Sequence, residues 1–214
     1  MSGLFISLEG PDGAGKGTML THLMPILKKH TSRTVVLTRE PGGSPIAEKI
    51  RHLILDVANQ EMTGETEALL YAAARSQHLH DIILPALAKD QIVISDRYVD
   101  SSIAYQGGGR QLGTDTVASI NHFATGGVLP QLTLYVDISP EVGLSRIKKY
   151  RDTPEDRLEV AGNAFHDRVR ATYLQLVHDD PQRIVALDGA APAKELTAAA
   201  WHEIHSRFPQ FFPA

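Results

Sequence analysis

The sequence predicts an α/β domain built on a five-stranded parallel sheet with helices on both faces. Three observations carry that reading. Five short apolar runs lie along 214 residues, they alternate with stretches of helical spacing, and the first run leads straight into a glycine-rich loop. Alternation of this kind gives βαβ units, whose right-handed crossovers place helices on both sides of a parallel sheet.

Leu4 to Glu9 is apolar almost throughout, as expected of a strand buried on both faces. Gly10 to Gly17 is the loop, and Thr18 to Lys29 carries helical spacing through Met19, Leu23, Ile26 and Leu27. Thr34 to Thr38 is a second strand. Ser44 to Asp56 is a helix with Ile46, Ile50, Leu53 and Ile54 on one face. A long helix spans about Glu65 to Lys89 and is expected to bend near Pro85, which cannot donate to the helix ladder. Strands follow at Gln91 to Ser95 and Leu132 to Ile138. Helices are expected at Ser139 to Tyr150 and Ala161 to His178, a last strand at Arg183 to Leu187, and a last helix at Ala193 to Arg207. The chain reads as one domain over 1–214, with a charge-dense segment at about 148–160, interrupted by Pro154, as a connector or lid.

Composition removes several functional classes. Lys plus Arg is 21 against 25 for Asp plus Glu, a net charge of −4, so no nucleic-acid partner is expected. Cysteine is absent, which excludes disulfides and thiolate chemistry. The first ten residues lack the basic and long apolar regions of a signal peptide, and no apolar run reaches the roughly 20 residues that cross a bilayer. A soluble, cytoplasmic protein with no membrane partner is the expectation. His202 and His205 stand three apart, not the four of a zinc-binding helix, and read as a solvated terminal helix.

The chemistry concentrates in the loop Gly10-Pro-Asp-Gly-Ala-Gly-Lys-Gly-Thr18, a Gly-x4-Gly-Lys frame between a strand and a helix. Such a frame wraps backbone N–H groups and a helix N-terminus around phosphates, so Gly10, Pro11, Asp12, Gly13, Ala14, Gly15, Lys16, Gly17 and Thr18 are candidate ATP-binding residues. Lys16 is the point charge for the β- and γ-phosphates. Gly17 stands where Ser or Thr commonly offers a hydroxyl to Mg²⁺, which leaves Thr18 for that role. The acidic partner of the metal is Asp96 or Asp137, each closing a strand; Asp96 is preferred because Arg97 follows it, and Asp137 reads as a strand-end cap.

Asp96-Arg-Tyr-Val-Asp-Ser-Ser-Ile-Ala-Tyr-Gln-Gly-Gly-Gly-Arg110, Thr38-Arg-Glu-Pro-Gly-Gly43, Ala73-Ala-Arg75, Leu134-Tyr-Val-Asp-Ile-Ser-Pro-Glu141 and Asp156-Arg-Leu-Glu159 together resemble the bacterial thymidylate kinases, from about Leu4 to Trp201. The resemblance implies a P-loop kinase fold with strand order 2-3-1-4-5 and a short lid, phosphorylation of dTMP to dTDP with ATP and Mg²⁺, and a homodimer. Two alternatives stay open: a sister kinase with another nucleotide or deoxynucleoside acceptor, and a non-catalytic ATP-binding module.

Glu67, Tyr71, Arg75 and His78 share one helical face, and an aromatic one turn before an arginine can stack on a base while the guanidinium donates to its edge. The resemblance assigns Tyr71 to thymine stacking, with Tyr where most relatives carry Phe, and Arg75 to O4. Ser102, Tyr105 and Gln106 also share a face; by resemblance Ser102 and Gln106 contact the pyrimidine and Tyr105 walls the sugar's 2′ side. The same resemblance assigns Arg51 and Arg97 to the acceptor phosphate. By resemblance Asp12 is the carboxylate that meets the 3′-OH or a metal-bound water, and Glu40 is a second candidate for related work. Arg39 is read as support for the Glu40 loop. The loop's variable positions hold no arginine, so the resemblance implies a lid finger, Arg151 first and Arg157 second. Arg146 is expected on the adenine face, opposite the Asp188-Gly-Ala-Ala loop. The catalytic set is therefore Lys16, Arg97, Arg151 and Arg51.

Overall fold

The computed structural model describes residues 2–150, 157–158 and 161–213. Five parallel strands, β1 (Leu4–Glu9), β2 (Val35–Arg39), β3 (Ile92–Asp96), β4 (Leu132–Asp137) and β5 (Ile184–Asp188), form one sheet in the order β2-β3-β1-β4-β5. β1 is buried at every position because it lies in the centre, paired with β3 on one side and β4 on the other. β2, at the edge, alternates half-buried and exposed side chains.

Helices α1 (Lys16–Lys29) and α9 (Ala193–Arg207) cover one face, where Met19, Leu23, Leu27, Ala200 and Ile204 pack on Leu4, Ile6 and Leu8. The other face carries α2 (Pro45–Leu55), α3 (Gly64–His78), α4 (Leu84–Ala88), α5 (Val99–Ser102), α6 (Thr114–Thr125) and α8 (Asn163–Asp179), whose core splits in two around Phe5 and Tyr98 and around Tyr135 and Tyr173. α7 (Pro140–Tyr150) follows β4.

Each expected strand is present; β2, β3 and β5 begin and end one residue later than the apolar pattern suggested, and β4 ends at Asp137, one residue short of the expected Ile138. Arg39 pairs with Asp96 and Asp137 with Asp188, so the ladder carries these polar residues to the C-terminal edge of the sheet. That edge is where open α/β sheets bind ligands.

Two departures concern helices. The expected helix over 65–89 is α3, a π-helical turn at Leu79–Ile83 and α4, so the ladder is reorganised just before Pro85, whose ring nitrogen has no proton to donate. α6 was not anticipated. Its sequence, Thr-Asp-Thr-Val-Ala-Ser-Ile-Asn-His-Phe-Ala-Thr, is dominated by weak helix formers, and contacts with α3 and with the π-helical turn Ile103–Gly109 sustain it.

Candidate active site

The glycine loop leaves β1 at Gly10 and enters α1 at Lys16. Gly10, Gly13 and Gly15 all have positive φ, so the loop curls back on itself. At Gly13 a side chain is impossible for a second reason: a Cβ would lie 2.1 Å from the carbonyl oxygen of Gly143 in α7. Lys16 is buried and donates from Nζ to the carbonyls of Gly10 (2.9 Å) and Pro11 (3.2 Å). Burial, reinforced by Arg97, lowers its pKa from the usual lysine value.

One cleft opens on this loop. Gly13 to Thr18 line it with Asp96, Arg146, and Gly189 to Ala193. Arg146 donates from Nη1 to the Gly189 carbonyl (2.8 Å), which sets its guanidinium against the loop after β5. Gly10 and Pro11 are not among its lining residues and meet Lys16 through their carbonyls, and Asp12 faces a second cleft.

The two acidic candidates for a metal are in different states. Asp137 accepts both Nε and Nη2 of Arg170 at 2.9 Å and the Tyr135 hydroxyl at 2.8 Å. The Arg170 hydrogen bonds hold it below the ordinary aspartate pKa. Asp96 Oδ1 is buried without a hydrogen-bond partner among the described residues and belongs to the cleft of Lys16 and Thr18. One carboxylate and one hydroxyl suit a hard cation whose other ligands are phosphate oxygens and water. Consistently, no cluster of three or more His, Asp or Glu among the described residues could hold a metal by itself.

The second cleft abuts the first across Asp12 and Arg97. Asp12, Glu40, Arg51, Tyr71, Arg75, Arg97, Ser102, Tyr105 and Gln106 all line it, joined by Pro41, Leu55, Ser101 and Leu158. These residues come from the glycine loop, the β2 end, α2, α3, and the β3 end with the helical turns after it. Arg97 stands immediately after β3 with φ of +73°, an uncommon conformation for a non-glycine residue. Its Nη2 donates to Asp12 Oδ1 (2.6 Å) and the Tyr105 hydroxyl (3.3 Å), its Nη1 donates to Ser101 Oγ (3.0 Å), and its guanidinium lies 5.0 Å from the Tyr105 ring centroid. Burial works against the Asp12 carboxylate, but Arg97 and Lys16 outweigh it and bring its pKa down to about 2.

At the opposite end, Arg75 is almost fully buried and donates to Glu40 Oε2 (2.7 Å), Ser102 Oγ (2.9 Å), the Tyr98 carbonyl (3.0 Å) and Asn121 Oδ1. His78 bonds the other Glu40 oxygen at 2.9 Å and Thr38 Oγ1 at 2.6 Å. Arg51 donates to the Pro41 carbonyl (2.8 Å). Arg39 lies outside this cleft, paired with Glu48.

Three supports escaped sequence reading. Glu9, the last residue of β1, is fully buried and accepts from Tyr98 N (2.7 Å), Ser101 Oγ (2.5 Å) and the Tyr173 hydroxyl (2.9 Å), which braces the turn carrying Arg97. Burial, with Asp100 nearby, raises its pKa to about 7. A carboxylate ending an apolar strand was the available signal. Asn121 had none, since α6 itself was not foreseen. Glu67 gave only its helical face; its partners are Gln106, Arg110 and Arg157. Arg157, the second candidate for a lid finger, is thus buried against α2 and α3, donating also to the Ile54 carbonyl (3.0 Å). Arg151 lies outside the described residues.

A glycine loop of phosphate-binding spacing at the C-terminal edge of a 2-3-1-4-5 sheet, beside a second cleft lined by three arginines, has the architecture of the P-loop kinases. The family model described as thymidylate kinase matches residues 8–200. The thymidylate kinase of Lacticaseibacillus casei (strain BL23) is 52% identical over 213 residues, 99% of this chain and all of that one. That of Levilactobacillus brevis is 53% identical over the same lengths, and that of Enterococcus faecalis 50% over 212 residues, again 99% and 100%. The chain belongs to the thymidylate kinase family.

Proposed function

We propose that this chain transfers the γ-phosphoryl group of ATP to the phosphate of dTMP, giving ADP and dTDP for dTTP synthesis. The observation that carries the reading is the junction of the two clefts at Asp12 and Arg97, with Lys16 on the nucleotide side and every expected acceptor residue on the other. The acceptor phosphate has a second pKa near 6, so at pH 7 the attacking oxygen is mostly ionised and needs no strong general base. The protein's work is in-line positioning of two polyanions and neutralisation of the charge between them.

Lys16 and the loop N–H groups hold the donor phosphates, and Arg146 with the loop after β5 flanks the base of ATP. Arg97 and Arg51 grip the acceptor phosphate, Asp12 orients the sugar, and Tyr105 closes the 2′ side. Tyr71 stacks on the pyrimidine, and Arg75, Ser102 and Gln106 read its edge; Glu40 holds Arg75 in place. Asp96 and Thr18 would hold Mg²⁺, which supplies neutralising charge at the transferring phosphoryl group. Arg151, in the segment 148–160 assigned as the lid of a single domain, is the candidate finger.

The test is coupled ADP release across dTMP, dUMP, AMP and thymidine: turnover fastest with dTMP is expected, and ADP release indifferent to acceptor overturns the reading. A homodimer is part of the proposal. Phe123 is 91% exposed and sits with Leu69, Ala72, Ile120 and Ala124 in a patch on α3 and α6, and Leu53 and Ile46 on α2 are also exposed. Such patches suit a second copy; only a 23.4 kDa species in sedimentation at micromolar concentration defeats it. No helix among the described residues is long and apolar enough to cross a membrane, and the cytoplasm is the proposed compartment, where ATP is plentiful.

A further inference from the structure

Glu67, on α3, is fully buried, and three side chains donate to it: Gln106 from Nε2 at 2.8 Å, Arg110 from Nε at 3.3 Å and Nη2 at 3.0 Å, and Arg157 from Nη2. The first of these matters for recognition. An ionised carboxylate only accepts hydrogen bonds, so an amide facing it must present its NH₂ group. Gln106 is itself 1% exposed and lines the acceptor cleft. With its nitrogen committed to Glu67, the polar atom it has left for the cleft is the carbonyl Oε1, which has no protein partner among the described residues.

Arg75 supplies the complementary half. A guanidinium has five N–H donors. Nε serves Glu40, Nη1 serves Ser102 and Asn121, and Nη2 serves Tyr98, which leaves one N–H on Nη2. The cleft thus offers one acceptor at Gln106 and one donor at Arg75. A ring carbonyl beside a ring N–H, as in thymine and uracil, matches that pair. Cytosine presents the reverse, an amino donor beside an unprotonated ring nitrogen, and would leave buried polar groups on both sides unpaired.

We infer that Glu67 is a specificity-determining positioning residue: by accepting the Gln106 amide it turns the Gln106 carbonyl into the cleft and selects pyrimidines of the thymine and uracil type over the cytosine type. The inference rests on the acceptor cleft assigned above. Glu67 touches no substrate itself.

The test compares kcat/KM for dTMP and dCMP in the wild type, Glu67→Gln, the exchange Glu67→Gln with Gln106→Glu, and Arg110→Ala, with 3-methyl-dTMP as a further acceptor for the wild type. In Glu67→Gln the facing amide can donate or accept, so Gln106 is released to turn. The dTMP-to-dCMP preference should fall on the order of tenfold or more. The exchange restores an acceptor-only group at position 106, and the preference should return. Arg110→Ala removes a partner of Glu67 without touching the amide, and should leave the preference within about twofold. The wild type should use 3-methyl-dTMP, which lacks the ring N–H, at least on the order of tenfold worse than dTMP.

A Glu67→Gln enzyme weakened equally on both acceptors shows a purely structural role and overturns the inference. So does a wild type that uses 3-methyl-dTMP as well as dTMP, an outcome that decides the matter even if Glu67→Gln is recovered unfolded. A wild type that does not phosphorylate dTMP defeats the proposed function instead, so the two failures are distinguishable.

Discussion

Arg97→Ala should cost the enzyme most of its turnover, and the size of the loss follows from donor counting. Of the five guanidinium N–H groups, three are committed within the protein, to Asp12, Tyr105 and Ser101. Two remain for an acceptor phosphate. Charge-assisted hydrogen bonds of this kind are worth roughly 1.5–3 kcal/mol each, so two are worth about 3–6 kcal/mol, or roughly a 10²- to 10⁴-fold loss in kcat/KM. Because Arg97 has φ of +73°, alanine inherits a strained backbone, of order 1–2 kcal/mol, that glycine would relieve. Arg97→Gly should therefore be at least as stable as Arg97→Ala and equally inactive, which separates chemistry from folding. Arg97→Lys should recover activity only in part, since one ammonium cannot replace a fork. The assay is steady-state ADP release with dTMP and ATP varied in turn, alongside thermal unfolding of each variant. A loss below about fivefold, or one confined to KM for ATP, would show that Arg97 does not hold the acceptor phosphate.

Further outcomes are expected at three other positions. Gly13→Ala places a Cβ within 2.1 Å of the Gly143 carbonyl at a φ of +75°, so the loop must move; ATP affinity measured by calorimetry should collapse while the sheet persists in circular dichroism, and near-normal affinity would contradict the packing of loop on α7. Glu9 binds its proton more tightly folded than unfolded, with a pKa raised from 4.5 to about 7. Its contribution is therefore most favourable at low pH and is lost as pH rises through 7, a span of about 3 kcal/mol. Chemical denaturation of Glu9→Gln across pH 5 to 8 should be flatter than the wild type by that order, and parallel curves would reject the burial argument. Arg151→Ala should lower kcat on the order of 10³-fold with KM for dTMP changed far less, as for an arginine finger; if kcat stays within a few-fold, the finger lies elsewhere.

The sheet was legible because its cause is local. An apolar run such as Leu4–Leu8 can be satisfied only by burial on both faces, and five such runs with helices between them leave few ways to wind a parallel sheet. The glycine loop was legible for a similar reason, since its spacing is a requirement of backbone geometry at one place in the chain. The gathering of Tyr71 with Arg75 and of Ser102 with Gln106 was legible by helical register, and one cleft does take all four, but register says which side chains share a face and not what they meet. α6 was hidden because Thr, Ser and Asn carry no helical signal of their own, and Asn121, which takes an Arg75 N–H, was hidden with it.

The buried carboxylates define the deeper limit. Glu9, Glu40 and Glu67 are all nearly or wholly removed from solvent, and each is held by donors distant in sequence: Tyr173 for Glu9, Arg75 for Glu40, Arg110 and Arg157 for Glu67. A charge in such a place costs several kcal/mol unless it is paired, so its presence implies partners somewhere in the fold. In this chain each of the three is bonded to a residue lining the second cleft or to the turn that carries one. Glu9 braces the turn of Arg97, Glu40 accepts from Arg75, and Glu67 accepts from Gln106, the contact proposed to turn its carbonyl into the cleft. Spacing and resemblance can thus suggest the groups proposed to touch the substrate, and Glu40 beside them, whereas the donors that each buried carboxylate holds are visible only once the chain has folded.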